Sequence, residues 1–282
     1  MLLKYLEDGT FTNNDDNFFI YALLRGLFMK RPKKKIAIFV VTYNAVNFID
    51  SVLDRIPGEI KKKVEEIYIF DDASKDNTYY AAIGYKAIKK LKKLHIFKNR
   101  VNLGYGGNQK AGYKYAIRKG YDIVVLLHGD GQYAPEELAK LLKPLEEDKA
   151  DMVFGSRMRG HPLKGGMPLI KFLGNKFLTY IENIFLDLNL SEYHSGYRLY
   201  SCHALKQIPF ERCSSEFHFD TDIIIQYKIK GLKIAEIPIP TFYGKEISYV
   251  NIYKYGIDVM RSIISYKLHQ WKIRKEYKFD FN

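Results

Sequence analysis

From residue 36 the chain alternates short, unbroken apolar runs with stretches in which apolar residues recur every three or four positions. "IAIFVVTY" is apolar and rich in β-branched residues, which predicts a strand buried on both faces. "AVNFIDSVLDRI" has helical spacing, and Pro57-Gly58 is expected to end it. "EEIYIFDDAS" predicts a second strand that stops in acids, "NTYYAAIGYKAIKKLKK" a helix, and "LHIFKN" a third strand. "GGNQKAGYKYAIRKG" predicts a helix closed by Gly120, and "YDIVVLL" a fourth strand. "APEELAKLLKPLEED" predicts a helix with Pro135 at its start, and "ADMVFGSR" a fifth strand. Strands separated by crossover helices predict an α/β fold, a mostly parallel central sheet with helices on both faces.

Two flanking stretches break this rhythm. "NFFIYALLRGLFMKRPKKK" carries Phe18, Phe19, Leu23, Leu24, Leu27 and Phe28 and ends in a basic cluster. Near the other end, Ile252, Tyr255, Val259, Ile263 and Tyr266 fall at helical spacing before Lys267, Lys272, Arg274 and Lys275. Basic amphipathic helices suit a membrane surface, and the competing reading is a helix packed on the core with a solvated end. The pattern therefore divides the chain into an extension (1–35), a central domain (36–245) and a helical tail (246–282).

Composition sharpens this picture in one respect. Of 282 residues, 47% are hydrophobic and 27% charged, ordinary for a globular protein, but the formal charge of +13 is not. Such a charge favours anionic partners: nucleic acid, lipid headgroups or phosphorylated substrates. No nucleic-acid reader motif is present, so nucleic acid is not an expected partner. Cys202 and Cys213 fit no metal spacing and are too few for a disulfide framework, which suggests a reducing compartment. No apolar run approaches the ~20 residues needed to span a bilayer, and the first residues lack the pattern of a signal peptide. A cytoplasmic protein, peripheral at the membrane face, is the resulting expectation, with a membrane-protein partner as a further one.

In parallel sheets ligands bind beyond the carboxyl ends of the strands. Those ends supply Thr42, Tyr43 and Asn44; Asp71 and Asp72; the segment Asn99–Gln109; His128, Asp130 and Gln132; and Ser156 and Arg157. Acids near "DDASKDNT" can serve a helix N-terminus, which accounts for Asp76 but not for two acids directly after "IYIF". Gly104, Gly106 and Gly107 form no complete phosphate-binding motif, although they permit close backbone approach to a ligand. Asp130 and Gln132 are oxygen donors two residues apart, the kind of pair that suits Mg or Mn. The alternative is a turn that caps the following helix.

Taken in order, "VVTYNA", "IYIFDDASKDNT", "NLGYGGNQKAGYKYA", "LLHGDGQYAPEEL", "MVFGSRMRG" and "HSGYRLYS" resemble a family 2 glycosyltransferase of the GT-A fold, over about residues 36 to 240. Within that family the chain is most similar to the polyprenyl-phosphate sugar synthases, such as dolichyl-phosphate mannose synthase. The resemblance implies an inverting, metal-dependent transfer of one sugar from a UDP- or GDP-linked donor to a polyprenyl phosphate. It implies that Thr42, Tyr43, Asn44, Asp71 and Asp72 serve the donor, with Gly104, Asn108 and His128 beside them. Asp130 and Gln132 would hold Mn or Mg on the diphosphate. Ser156, Arg157, Lys171, Asn175 and Ser195 would lie near the acceptor phosphate, and Gly196 and Arg198 in a segment closing over the site. The chief departure is His128, where relatives usually have the first acid of Asp-x-Asp.

A phosphate acceptor is already anionic, so it needs cations rather than a general base. Arg157, Arg198 and Lys171 meet that demand. Asp220 and Asp222 open a further helix, where acids are favourable anyway, but a carboxylate near this point can act as base toward a hydroxyl. Asp130, Arg157, Arg198 and Asp220 are therefore the candidate catalytic residues. Asp220 separates the phosphate reading from an alternative, transfer to a hydroxyl of a saccharide or lipid-linked glycan. A second alternative is an inactive basic membrane-surface protein in which His128 marks lost chemistry.

Overall fold

A computed structural model of the chain describes residues 32–241 and 250–281. The apolar stretch from Phe18 to Phe28 lies outside the described residues. Residues from Lys34 onward form one compact unit, built on a seven-stranded sheet.

The predicted alternation is present: β1 (Ile36–Thr42), α1 (Ile49–Arg55), α2 (Gly58–Lys63), β2 (Glu66–Asp71), α3 (Thr78–Ile88), β3 (Leu94–Lys98), α4 (Tyr105–Lys119), β4 (Ile123–His128), α5 (Leu138–Glu146) and β5 (Met152–Ser156). Pro57 ends α1 as expected, but it also opens α2, because proline suits a helix start as well as a helix stop. The chain then adds α6 (Leu169–Leu186), β6 (Arg198–Ser201), the short α7 (Cys202–Leu205), α8 (Phe219–Lys230), β7 (Ile234–Pro238) and α9 (Ile252–Gln270). Of these, only α8 and α9 were legible as helices.

The strand order is β3-β2-β1-β4-β6-β5-β7. All pairings are parallel except those of β6, which runs antiparallel between β4 and β5. Alternate residues of a strand face opposite sides of a sheet, and the two cores divide accordingly. Ile36, Ile38, Val40, Ile123, Val125 and Leu127 pack under α1, α2, α3 and α5. Ala37, Phe39, Tyr68, Phe70, Val124 and Leu126 pack under α4 and α8. Register brings Thr42 opposite Asp71, and Val41 opposite His128, so the polar ends of β1, β2 and β4 finish level on one edge.

Beyond its first turn, where Ile252 is 52% exposed, the stripe of α9 faces inward. Val259 and Ile263 are fully buried and Tyr266 nearly so, and the helix packs on α6 and α8. The membrane-facing reading of this stripe is therefore corrected: the same spacing that suits a lipid surface suits a groove between helices.

Helix α4 lies close to the sheet at Gly112. A Cβ there would meet the Phe39 ring at 2.1 Å, while Phe39 stacks on Tyr68 with centroids 5.1 Å apart. The Tyr68 hydroxyl donates to the Gly112 carbonyl at 2.8 Å. Neither ring can retreat, so Gly112→Ala is expected to destabilise the fold by about 1–3 kcal/mol, read as a lower urea midpoint with an unchanged m-value.

Candidate active site

The level strand ends open into a cavity of about 620 Å³. Thr42, Tyr43 and Asn44 line it from β1, and Asp72 lines it from β2. Asn44 adopts a left-handed φ of 48°, and its side-chain oxygen accepts from the Lys75 amide at 2.9 Å. Its own amide donates to the Ser74 hydroxyl. The loop after β2 is thereby tied to the loop after β1. Asp72 is 3% exposed, and its Oδ1 accepts from Asn99 Nδ2 and from the Leu103 amide, each at 2.8 Å. That carboxylate thus holds the glycine-rich segment beside the cavity while staying on its wall.

Asp71 is placed differently. It is fully buried, lies off the cavity wall, and accepts from the amide and hydroxyl of Ser74. Burial raises its pKa, and the Ser74 bonds work against that rise. The expectation of a donor contact from Asp71 is corrected accordingly: its side chain folds the loop. Gly104 and Asn108 do line the cavity. Asn108 donates to the Phe70 carbonyl at 3.0 Å. The glycines, however, answer to the chain itself. A Cβ at Gly104 would sit 2.7 Å from the Ser215 carbonyl oxygen, and one at Gly106 would sit 2.5 Å from that of Ser214.

At the end of β4, His128, Asp130 and Gln132 all line the cavity. Asp130 Oδ1 accepts from the Gln132 amide at 3.1 Å. His128 packs between the rings of Tyr105 and Tyr133, with centroids 5.7 and 5.1 Å away. Its Nε2 is buried without a hydrogen bond of good geometry, and a Cβ at Gly196 would meet it at 2.6 Å. Burial lowers its pKa, opposed by the charges of Asp130 and Asp220, so the ring favours its neutral form. Among the described residues no group of three His, Cys, Asp or Glu side chains converges as a metal site. The oxygens of Asp130 and Gln132 still fit a hard cation that completes its shell from phosphate and water.

The opposite wall comes from β5, α6 and the segment before β6. Arg157, Lys171 and Asn175 line the cavity. Arg157 does not stand as an isolated cation. Its Nε donates to Glu192 Oε1 at 2.8 Å, its Nη2 donates to the same oxygen, and Asn175 Nδ2 reaches that oxygen at 3.1 Å. Glu192 is fully buried. Burial, the largest single influence, would raise its pKa, but the charge and hydrogen bonds of Arg157, with the nearby His194, together outweigh it and leave the carboxyl below its ordinary range. Nη2 of Arg157 also donates to the His194 carbonyl at 2.9 Å. His194 itself lines the cavity, with Nδ1 2.7 Å from the Tyr255 hydroxyl of α9 and Nε2 3.1 Å from Glu182 of α6.

Ser156, Ser195 and Arg198 are buried and do not line the cavity. Ser156 Oγ lies 2.7 Å from Ser191 Oγ. Arg198 donates to the carbonyls of Ser195, Asp220 and Tyr193 at 2.8, 3.0 and 2.6 Å. Direct contact of these three with an acceptor phosphate is thus corrected: all lie behind the cavity wall, where Ser156 and Arg198 are engaged by their neighbours and the Ser195 hydroxyl is buried. Asp220 lines the cavity and is 4% exposed. Its Oδ2 accepts from the Tyr105 hydroxyl at 2.9 Å, and its Oδ1 lies 3.6 Å from Arg198 Nε. Burial raises the Asp220 pKa, while Arg198 and Tyr105 pull it down.

Sequence reasoning passed over Tyr105, Tyr133, Glu182, Glu192 and His194, and took Tyr255 only as one position of the amphipathic tail. Tyr105, Tyr133 and His194 stood inside the motifs that located the site, and Glu192 two residues before one of them. Glu182 carried no local signal; helix packing brings it beside His194 and brings Tyr255 to the cavity wall.

The "Glycosyl transferase family 2" model matches residues 37–209. A UDP-N-acetylglucosamine–dolichyl-phosphate N-acetylglucosaminyltransferase of Methanococcus voltae is 30% identical over 226 residues, covering 74% of this chain and 86% of that one. An undecaprenyl-phosphate mannosyltransferase of Micrococcus luteus is 28% identical, covering 76% and 85%. A glucosyl-3-phosphoglycerate synthase of Mycobacterium tuberculosis, solved with Mn2+, UDP-glucose and phosphoglyceric acid, superimposes with a TM-score of 0.63 at 18% identity, covering 83% of this chain and 79% of that one. The fold is GT-A, and the family model spans well over half of the 282 residues; the chain is a glycosyltransferase belonging to family 2.

Proposed function

We propose that this glycosyltransferase moves one sugar from a nucleotide-sugar, UDP- or GDP-linked, to a polyprenyl phosphate with inversion. The observation that carries this reading is the double face of α6. One side brings Lys171 and Asn175 to the cavity. The other presents Leu169, Leu173, Phe177, Tyr180 and Ile184 to solvent at helical spacing, with Phe177 64% and Tyr180 65% exposed. An acceptor with a charged head and an apolar tail matches a polar cavity bordered by an apolar stripe. The two relatives named above act on such lipids. The stripe also gives the chain a peripheral seat on a membrane, on a helix that the sequence reading did not single out. The cytoplasmic face, where nucleotide-sugars are made, is the side this reading assigns.

In this reading the wall of Thr42, Tyr43, Asn44, Asp72 and Asn108 takes the nucleoside. Asp72, with one oxygen committed to the glycine segment, contacts the base. Asp130 and Gln132 hold Mn or Mg, which when bound offsets the charge of the departing diphosphate. Arg157, oriented by Glu192, and Lys171 place the acceptor phosphate. A phosphate oxygen bonds to the anomeric carbon as the bond from that carbon to the nucleoside diphosphate breaks. The acceptor is anionic, so no side chain need take a proton. Asp220 serves as the counter-charge of Arg198. The second reading, transfer to a hydroxyl with Asp220 as base, draws on the raised Asp220 pKa and its place on the wall.

The deciding assay uses labelled UDP- and GDP-sugars with Mn or Mg, with and without polyprenyl phosphate. Label entering the organic phase only when both metal and lipid phosphate are present supports the proposal. Asp130→Asn is expected to lower that transfer on the order of a hundredfold or more. Transfer that instead requires a saccharide or lipid-linked glycan, with polyprenyl phosphate inert, favours the hydroxyl reading.

Glu192→Gln removes the buried carboxylate on which Arg157, itself part-exposed on the cavity wall, is oriented, and is expected to cost about 1–3 kcal/mol of stability. The sign of the pH dependence follows from the lowered carboxyl. The stabilisation is complete above the ordinary value of 4.5 and is lost as pH falls through the folded value below it. Denaturant midpoints of wild type and variant should therefore converge in acid.

Replacing Leu173 and Phe177 together by Gln should abolish flotation with anionic vesicles. Turnover of a detergent-dispersed acceptor should be retained, and vesicle binding that survives the change would remove α6 from the membrane contact.

A further inference from the structure

After α9 the chain turns back, and its last described residues lie against α8. A 3-10 turn at Tyr277–Phe279 buries Phe279 to 1% exposure. Its anchors are numerous. Gln226 Nε2 donates to the Lys278 carbonyl at 2.7 Å, and Arg212 donates to the carbonyls of Tyr277 and Asp280. The Arg212 guanidinium sits 4.1 Å from the Tyr277 ring centre. Lys278 Nζ donates to Asp222 Oδ1 at 2.6 Å and to Ser262 Oγ at 3.1 Å.

Asp222 is fully buried, and Lys278 is its ion-pair partner. The other carboxylate oxygen, Oδ2, accepts from the Ser214 amide at 2.9 Å. The neighbouring Ser215 carbonyl accepts from the Gly106 and Gly107 amides at 2.8 and 3.3 Å. Those amides belong to the first turn of α4, directly after Gly104 and Tyr105 on the cavity wall. Phe217, three residues beyond Ser214, lines the cavity and packs on Tyr105 with ring centres 5.0 Å apart. A continuous path thus runs from the Tyr277–Phe279 turn to the side of the cavity that holds the glycine segment.

We infer that residues 275–281 are a clamp on the donor half of the site and that Lys278 is a positioning residue. By neutralising Asp222, Lys278 keeps the Cys213–Phe217 segment seated on the first turn of α4. That seat sets where Gly104, Tyr105 and Asn108 stand. The link of this clamp to nucleotide binding rests on the donor reading proposed above; the link to the α4 turn does not.

The test compares wild type, Lys278→Met and Lys278→Arg in the full chain by two readouts. The first is hydrogen exchange at peptides covering 104–110 and 213–219. The second is binding of UDP and of GDP, each with Mn2+. Lys278→Met should speed exchange at both peptides while β1 and β4 keep their protection. It should weaken the nucleotide that binds by roughly tenfold, within the range carried through packed networks. Lys278→Arg should restore most of both. If Lys278→Met does not fold, Lys278→Met/Asp222→Asn removes the unpaired buried charge and is read the same way. Exchange at 104–110 and nucleotide affinity both within twofold of wild type would overturn the clamp, whatever happens to the melting temperature. Uniformly faster exchange throughout the protein would overturn it too, because that marks a loss of global stability only. If wild type binds neither nucleotide, the donor reading fails, and the exchange data alone decide the clamp.

Discussion

Arg198 lies wholly out of solvent at the start of the antiparallel strand, and three main-chain carbonyls from two separate segments meet its guanidinium. A charge in that position is tolerable only if it is neutralised and all its directions are used. Asp220 supplies the charge at 3.6 Å, and burial, which would disfavour the cation, is outweighed by Asp220 together with Tyr200 and Tyr105. The consequence reaches beyond one ion pair. The carbonyls of Tyr193 and Ser195 fix the segment that carries Glu192, His194 and Gly196. The Asp220 carbonyl fixes the first turn of α8. One buried cation therefore aligns two walls of the cavity that no sheet hydrogen bond connects.

The two halves of the site use charge in opposite ways. Beside β5 and α6, Arg157 and Asn175 converge on buried Glu192, so positive charge is presented in a preset direction rather than on a free arm. At the ends of β1 and β2, carboxylates do the holding. Asp71 folds its own loop, and Asp72 divides its oxygens between the glycine segment and the cavity. Between them, the buried His128 ring packs against Tyr105 and Tyr133, where burial disfavours its charged form against the pull of Asp130 and Asp220.

The helices after β5 turn a nucleotide-sugar fold into a site with an apolar border. Helix α6 joins the cavity to an exposed apolar stripe, and α9 backs it with Val259 and Ile263. Tyr255 and Glu182 then meet on His194, which ties both helices to the segment holding Arg157. Asn175 and His194 thus link α6 to Arg157 on the cavity wall.

The parallel half of the fold, the level strand ends and the placement of Thr42, Asn44, Asp72, Asp130 and Gln132 on one cavity were all legible in the sequence. Each depends on local pattern: unbroken apolar runs make buried parallel strands, and polar residues that stop such a run must emerge at its edge. Beyond β5 the sequence determined less. The spacing of the last helix satisfied a membrane and a protein groove equally, and only packing on α6 and α8 chose the groove. The partners of the charged residues were likewise decided in three dimensions. Arg157, Arg198 and Asp220 read alike as free catalytic charges, but their partners lie 35, 22 and 115 residues away along the chain, in Glu192, Asp220 and Tyr105. A local pattern reports whether a side chain is apolar or charged. What a buried charge is spent on depends on which distant group the fold brings within hydrogen-bond reach, and that is a property of the tertiary structure alone.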